Sequence, residues 1–423
     1  MGTAVTTPSK PSRAGASLLP TATPTTTRGP AQGGTNLPGP SRPQSASPRW
    51  AQSLAYGPPG EALAAFEYAQ RGGDLQAAKV WAAATISVPI NATPSANLFH
   101  GAPAISTALH AAGPHGFHSA RNLLHDYIAD LTRRRLTSAH NRIDAQHPSL
   151  PSEWDLTRGL SGIGAFLLEH QGDTPITREV LRYLVRLTEP LTIGQEVLQG
   201  WCAPNPVKHL SLPPSDYVHT GMARGIAGPL ALLATAFRRG IRVPGHCEAI
   251  ERVCAWLDLV RAGTAARPWW PQGIGRVSTE LASLQDRPPP PSWSEGTPGV
   301  ARALQLAGIA LSNRQRQNLA ETALLSCLCD PKQLATLPNG GIADGWAGLA
   351  LTTWRAATDS PNHQLARELP ALLSTLTQHL QPGPQQGAPG LLHGTTGIEL
   401  VLYTLTVDLP FTSRWDTCLL TAG

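Results

Sequence analysis

Strongly apolar stretches alternate with amphipathic ones along most of this chain of 423 residues. The apolar stretches suit helices that are buried all round, whereas the amphipathic ones carry their charges on one helical face. The apolar stretches are 163–168, 229–237, 300–311, 349–357 and 398–405, and the amphipathic ones include 178–187, 249–260 and 365–378. This alternation predicts repeated helix pairs, each with an inner and an outer helix.

A short glycine pattern introduces each apolar stretch and occurs seven times. Its copies begin at Gly57, Gly101, Gly159, Gly225, Gly296, Gly345 and Gly394, and another small residue follows three positions later, glycine in all copies except the second. The spacing of about 45 to 70 residues leaves room for two helices in each unit. Periodicity alone allows either an open solenoid or a closed ring. The glycines either permit close backbone approach around a central cavity or only make tight turns.

The net positive charge of the chain lies in its first 49 residues. This stretch holds five Lys and Arg residues and no acidic residue, which accounts for the formal charge of +5. It is rich in Pro, Ser and Thr and has few large apolar side chains, so it cannot offset the entropy of ordering. We predict a disordered basic tail over 1–49 and a folded domain over 50–423. The rest of the chain has no basic excess, so no nucleic-acid partner is expected.

The chain carries no stretch of 18 apolar residues, and its start lacks the apolar core of a signal peptide. We therefore expect no membrane insertion. The six cysteines are scattered without the spacing of a disulfide framework, which suits a reducing compartment. A cytoplasmic location is predicted.

Five of the glycine segments resemble, in order, the signature segments of the lanthionine synthetase C-like family. They are Asp155-Leu-Thr-Arg-Gly-Leu-Ser-Gly162, Gly221-Met-Ala-Arg-Gly-Ile-Ala-Gly228, Trp293-Ser-Glu-Gly-Thr-Pro-Gly299, Asp344-Gly-Trp-Ala-Gly348 and Leu391-Leu-His-Gly-Thr-Thr-Gly397. The resemblance covers about residues 50–423. It implies an all-α fold, an α/α toroid of seven helical hairpins with inner and outer helix rings.

The resemblance also implies a zinc site, but the ligand residues differ in this chain. Active family members bind zinc at the ring centre and add a cysteine thiol of a precursor peptide to a dehydroalanine or dehydrobutyrine. The zinc lowers the pKa of the thiol, so that a thiolate nucleophile exists at neutral pH. The family's two cysteine ligands and one histidine ligand correspond here to Ser294, Ala343 and Asp344. Serine is a poor zinc ligand and alanine offers none, so we expect neither zinc nor another cofactor.

The proton-handling residues implied by the resemblance are changed as well. The family histidine in the fourth pattern is Arg224 here, which stays protonated and cannot carry a proton, whereas the family aspartate is kept as Asp155. We predict that these two degenerate catalytic positions form an ion pair across the cavity. Candidate substrate-binding residues are Trp293, Glu295, Trp346 and His219.

A replacement site for Mg²⁺ or Mn²⁺ would draw on Glu295, Asp344, Asp155 and His219, but nothing in the sequence fixes their mutual distances. Three functions stay open. The first is a noncatalytic toroid that binds a dehydrated, cysteine-containing precursor peptide or its dehydratase, a pseudoenzyme of lanthipeptide biosynthesis. The second is a cyclase that closes thioether rings without zinc by positioning thiol and dehydroamino acid. The third is loss of function with the fold retained.

Overall fold

A computed structural model describes residues 49–113, 116–193, 195–202, 217–277, 280–283, 285–380, 388–407 and 413–423. The chain divides into two units at residue 37, and all the described residues belong to the second, Pro38–Gly423. The predicted disordered tail, apart from Arg49, lies outside the described residues, so it stays a prediction.

The described part of the chain is mainly helical. The α-helices are α1 (Pro58–Ala69), α2 (Leu75–Thr85), α3 (Ala102–His110), α4 (His118–Asp144), α5 (Pro151–Trp154), α6 (Leu160–His170), α7 (Pro175–Leu187), α8 (Ala227–Arg238), α9 (His246–Leu259), α10 (Thr297–Ala310), α11 (Arg314–Leu328), α12 (Pro331–Leu334), α13 (Trp346–Asp359), α14 (Gln364–His379) and α15 (Thr395–Thr406).

Seven of these helices form a closed inner ring. They are the apolar helices that follow the glycine patterns, and each contacts the next in the order α1, α3, α6, α8, α10, α13 and α15, with α15 returning to α1. Nearly every residue of α8 and α10 is buried, as expected for helices enclosed on all sides. The ring closes, so the α/α toroid is confirmed over the open solenoid.

The outer layer consists of amphipathic helices placed between the inner ones. It contains α2, α4, α7, α9, α11 and α14. In α7 the side chain of Thr174 accepts a hydrogen bond from the backbone N–H of Thr177, and Pro175 occupies the first turn, which together fix the start of the helix. Its apolar positions, such as Val180 and Leu184, are buried while its arginines face outward.

The glycines that open the inner helices are required by close backbone approach. Gly345 is the N-cap of α13, and a Cβ atom at Gly348 would lie 1.8 Å from the carbonyl oxygen of Ile342. A Cβ atom at Gly299 would likewise lie 2.0 Å from the carbonyl oxygen of Trp293. Any other residue would push the helix away from the turn before it.

Backbone hydrogen bonds join the glycine turns of neighbouring units into a ladder. The residue two positions before the first glycine donates its N–H to the carbonyl oxygen of its counterpart in the next unit. These bonds run from Thr157 to Ala223 (3.2 Å), Ala223 to Ser294 (2.9 Å), Ser294 to Ala343 (3.0 Å), Ala343 to Leu392 (2.9 Å) and Leu392 to Ala55 (3.0 Å). A further bond joins the N–H of Leu54 to the carbonyl of Phe99 at 3.0 Å. The turns of successive units therefore lie edge to edge.

The last residues of the chain lie inside the inner ring. In this C-terminal segment (413–423), Asp416 is buried and accepts hydrogen bonds from Nε and Nη2 of Arg355, both at 2.6 Å. The carbonyl oxygen of Thr421 accepts a hydrogen bond from Nε of the buried Arg302 at 2.8 Å. The segment contains a short 3₁₀-helix, and the described residues after α15 contain no outer helix.

Short antiparallel strands interrupt the helical architecture in the long connections. They are β1 (Pro190–Ile193), β2 (Glu196–Gln199), β3 (Tyr217–His219), β4 (Ala262–Thr264), β5 (Arg267–Trp269), β6 (Gly273–Val277) and β7 (Glu280–Ser283). β1 pairs with β2, β4 pairs with β5, and β3, β6 and β7 form one sheet in that order. In this sheet His219 at the end of β3 is opposite Gly273.

A search of the described helices for a membrane span found none with the necessary length and apolar character.

Candidate functional site

Seven residues lie at the N-terminal ends of the inner helices, each immediately before the first glycine of its pattern. We call them the rim residues: Tyr56, His100, Arg158, Arg224, Glu295, Asp344 and His393. The backbone ladder joins the turns that carry them in one row, from the third turn through the seventh to the first and second. Side chains on neighbouring turns can therefore contact one another although they are far apart in sequence.

Arg224 pairs with Glu295 on the next turn. Its Nε donates a hydrogen bond to Oε1 of Glu295 at 2.9 Å, and the arginine side chain remains 56% exposed. Burial raises the pKa of Glu295, against the opposing effect of the Arg224 charge. The guanidinium group is thus anchored at one nitrogen by a buried carboxylate, while much of its surface is open to a ligand.

Asp155 is bound within its own turn, so the predicted Asp155–Arg224 ion pair is wrong. The Oδ1 atom of Asp155 accepts hydrogen bonds from the backbone N–H groups of Arg158 at 2.5 Å and Gly159 at 3.0 Å. Its Oδ2 atom pairs with the Arg158 guanidinium at 3.1 Å. Burial raises the pKa of Asp155, and the hydrogen bonds and charge of Arg158 oppose the rise. Both oxygens of Asp155 are satisfied locally, and Glu295 is the carboxylate that pairs with Arg224.

His219 lies beside the second carboxylate oxygen of Glu295. Its Nδ1 is 3.8 Å from Oε2 of Glu295, and its side chain is 30% exposed. Burial, together with the positive charges of Arg224 and Arg158, lowers the pKa of His219 to about 4. The imidazole is therefore neutral at neutral pH.

The three positions that correspond to the family's zinc ligands do not fit zinc. The hydroxyl of Ser294 donates a hydrogen bond to Oδ1 of Asp344, which leaves one carboxylate as the only charged donor among the three. Ala343 provides a methyl group, and its backbone N–H and C=O are used in the ladder. Structural zinc sites use thiolate and imidazole ligands, which this set lacks. In the ranges that the structure describes, no cluster of three or more His, Cys, Asp or Glu side chains is arranged to hold a metal ion. That the protein works without zinc stays a prediction.

Trp293 is a core residue, which corrects its assignment as a substrate contact. Its side chain is 1% exposed, and its indole N–H donates a hydrogen bond to the carbonyl oxygen of Leu419 at 3.1 Å. Trp346, the other candidate tryptophan, is half-buried and has its ring centroid 6.4 Å from that of His379 on α14. Contact of Trp346 with a substrate stays a prediction.

The structure thus brings together Arg224, Glu295 and His219, and separately Ser294 and Asp344. Arg158 has a role that was not predicted from the sequence: it binds Asp155 and acts electrostatically on His219. The spacing of three residues between an aspartate and an arginine before the helix was the available signal, because such residues meet in a turn.

Comparisons with known proteins agree with this architecture. A family model described as "Lanthionine synthetase C-like protein" matches residues 48–420. Among solved structures, nisin cyclase is similar, with a TM-score of 0.73 and 20% sequence identity over 89% of this chain and 93% of its own. The comparison with curated proteins found no match. At this identity the structural likeness shows the fold, and it confirms the helical toroid.

Proposed function

The chain belongs to the lanthionine synthetase C-like family, and from this premise we propose that it binds a dehydrated, cysteine-containing precursor peptide, or the dehydratase that supplies it, without zinc. The observation that carries the proposal is the anchored guanidinium of Arg224 on the rim. Its Nε is held by the buried carboxylate of Glu295, and its side chain is 56% exposed. An arginine held in this way can hydrogen-bond the carbonyl oxygens of a peptide with little loss of side-chain entropy.

The charges of the rim support a peptide as the ligand. Arg158 and Arg224 lie on the third and fourth turns, and Glu295 and Asp344 on the fifth and sixth. The third and fourth turns therefore present exposed guanidinium donors, and the sixth presents the partly exposed carboxylate of Asp344. A peptide backbone, which offers both carbonyl oxygens and N–H groups, suits such a divided surface.

Binding is tested with a synthetic peptide that carries one dehydroalanine and one cysteine. Titration calorimetry should show binding to the full chain after treatment with a metal chelator. Arg224→Gln should weaken it at least about tenfold, because a charge-assisted hydrogen bond is lost. The matched control is Arg178→Gln, which removes a partly exposed arginine paired with Asp173 beyond the C-terminal end of α6, away from the rim, and which should bind like the parent. Equal affinity of the parent and Arg224→Gln would show that the rim is not the binding surface.

A second candidate function is thioether ring closure without zinc, and one specific observation favours it. Glu295 contacts a cation, Arg224, through one oxygen and lies close to a neutral imidazole, His219, through the other. Thiol addition to a dehydroamino acid develops negative charge on a carbonyl oxygen and moves one proton. The guanidinium of Arg224 can stabilise that charge, and the imidazole of His219 can carry the proton. Loss of free thiol from the same peptide, measured against a protein-free control, separates ring closure from binding alone.

A further inference from the structure

Glu295 on the fifth turn contacts two side chains of the fourth segment, Arg224 and His219. It is buried, its Oε1 accepts the hydrogen bond from Arg224, and its Oε2 is 3.8 Å from Nδ1 of His219. The close approach of the chain at Gly221 helps to fix this carboxylate, because a Cβ atom there would lie 3.0 Å from Oε2 of Glu295. The glutamate is therefore held in place by packing as well as by charge.

The position that handles the proton in the family is occupied by Arg224, so a ring closure on this toroid needs another proton carrier. Arginine cannot serve, because its guanidinium stays protonated. Asp155 cannot serve either, because both its oxygens are engaged by Arg158 and Gly159 in its own turn. His219 lies beside Glu295, the partner of Arg224, and its side chain is 30% exposed. Asp344 also acts on this pair through its charge, but one of its oxygens is bound by the hydroxyl of Ser294.

We propose that His219 is the general base and acid of zinc-free thioether formation on this toroid, with Glu295 orienting it and Arg224 holding the substrate carbonyl. The proposal rests on the second candidate function above. It adds to that function the residue that moves the proton.

The step balances without an outside reagent. The imidazole of His219 takes the proton of the cysteine thiol, and the sulfur attacks Cβ of the dehydroalanine, forming the C–S bond. The electron pair of the Cα=Cβ bond moves onto the carbonyl, giving an enolate whose oxygen is held by Arg224. The imidazolium then returns the proton to Cα, the carbonyl forms again, and His219 is neutral once more.

The charges around His219 suit both halves of this cycle. Arg224 on the fourth turn and Arg158 on the third keep the imidazole neutral, so it can accept a proton. They also make the imidazolium a strong acid, which favours delivery of the proton to the enolate carbon. The carboxylate of Glu295 on the fifth turn supports the transient positive charge, and the enolate offsets part of the Arg224 charge at the same moment.

The test is the pH profile of ring closure of the dehydroalanine–cysteine peptide by the full chain. Uncatalysed addition needs free thiolate, so its rate rises about tenfold per pH unit below the thiol pKa. A histidine base with a pKa of about 4 does not require preformed thiolate. The protein-dependent rate should therefore be nearly constant between about pH 5 and pH 8.

His219→Gln should lower the protein-dependent rate at least about tenfold. The remaining rate should again rise about tenfold per pH unit below the thiol pKa, as uncatalysed addition does. Peptide affinity, measured by calorimetry, should stay within about threefold of the parent. His219→Asn is the second variant, in case glutamine disturbs folding, and His363→Gln on the outer surface is the matched control.

The outcomes separate the role of His219 from the proposed peptide binding. A flat profile that persists in His219→Gln would overturn the role of His219. A parent protein that binds the peptide but never accelerates thiol loss would also overturn it, while leaving the binding proposal intact. Absence of peptide binding by the parent would remove the proposed function itself.

Discussion

Ser294 donates a hydrogen bond from its hydroxyl to a carboxylate oxygen of Asp344, so side chains at these two positions already reach each other across adjacent turns. The third position that corresponds to a family zinc ligand, Ala343, accepts the backbone N–H of Ser294 at 3.0 Å. The backbone therefore still places the three positions together, and only the donor atoms are missing.

We predict that restoring those atoms creates a zinc site. The variant combining Ser294→Cys, Ala343→Cys and Asp344→His should bind about one zinc ion per chain, because it supplies two thiolates and an imidazole. The control combines Ser294→Cys and Asp344→His alone and should bind zinc at least about tenfold more weakly. Zinc content and affinity after equilibrium dialysis are the measurements. Parent protein that retains zinc as tightly as the triple variant would contradict the zinc-free reading of the site.

A double-mutant cycle should detect the Arg224–Glu295 pair. Arg224→Met and Glu295→Gln should be non-additive by about 0.5–1 kcal/mol in the free energy of unfolding, a modest value because the arginine is more than half exposed. The matched cycle of Arg224→Met with Asp155→Asn should give a smaller coupling, because Asp155 is bound to Arg158 and acts on Arg224 only through longer-range charge. Urea denaturation measures both, and a larger coupling in the second cycle would favour the pair that the structure excludes.

The anchor of the C-terminal segment should contribute strongly to stability. Asp416 is buried and bound by Arg355, so Arg355→Met leaves an uncompensated carboxylate in the ring and should cost about 3–5 kcal/mol in the free energy of unfolding. Adding Asp416→Leu should recover most of this loss, because the stranded charge is removed. Arg134→Met, which breaks an exposed pair with Asp130, is the control and should leave the urea midpoint unchanged. If Arg355→Met unfolds like that control, the segment does not depend on this anchor.

Acid should destabilise the toroid through a histidine cluster. His110 at the end of α3 has its Nε2 2.9 Å from that of His125, and its ring stacks on His170 with centroids 3.9 Å apart. Burial, with the charges of His125 and Arg121, lowers the pKa of His110 to about 3. The unfolded chain therefore binds more protons between about pH 6.5 and pH 3, and stability falls as the pH falls through this window.

His110→Phe keeps an aromatic ring in the stack and removes the ionisable group. We expect it to reduce the loss of stability between about pH 6.5 and pH 5 by about 1 kcal/mol, after allowing for partial solvent screening. Thermal and urea unfolding across this range give the measurement, with His363→Phe as an exposed control. An unchanged pH slope in His110→Phe would show that this histidine does not carry the effect.

The inner helices were predictable because their signals are local. An apolar stretch that follows a glycine pattern can be recognised within about a dozen residues. At Gly348 the pattern requires glycine because a Cβ atom there would clash with the carbonyl oxygen of Ile342. The positions equivalent to the family's zinc ligands could also be identified from local sequence, because Ser294 and Asp344 belong to recognisable segments.

The contacts of the site were not predictable because they depend on which turns are neighbours. Arg224 pairs with Glu295 because their turns are neighbours in the ring. The family pattern instead suggested Asp155 as the partner of Arg224, but Asp155 pairs with Arg158. The sequence predicts Trp293 as a substrate contact because nothing near it in sequence indicates its hydrogen bond to Leu419, a residue of the C-terminal segment.

The bond from Leu392 to Ala55 closes the ladder between the last turn and the first. A linear repeat array can grow unit by unit from the ribosome and is protected by polar caps at its ends. Here α1 packs between α3 and α15 in the inner ring. The contact with α15 cannot form until residues 395–406 have been synthesised. We therefore expect the toroid to complete its folding only once α15 has left the ribosome and can pack against α1.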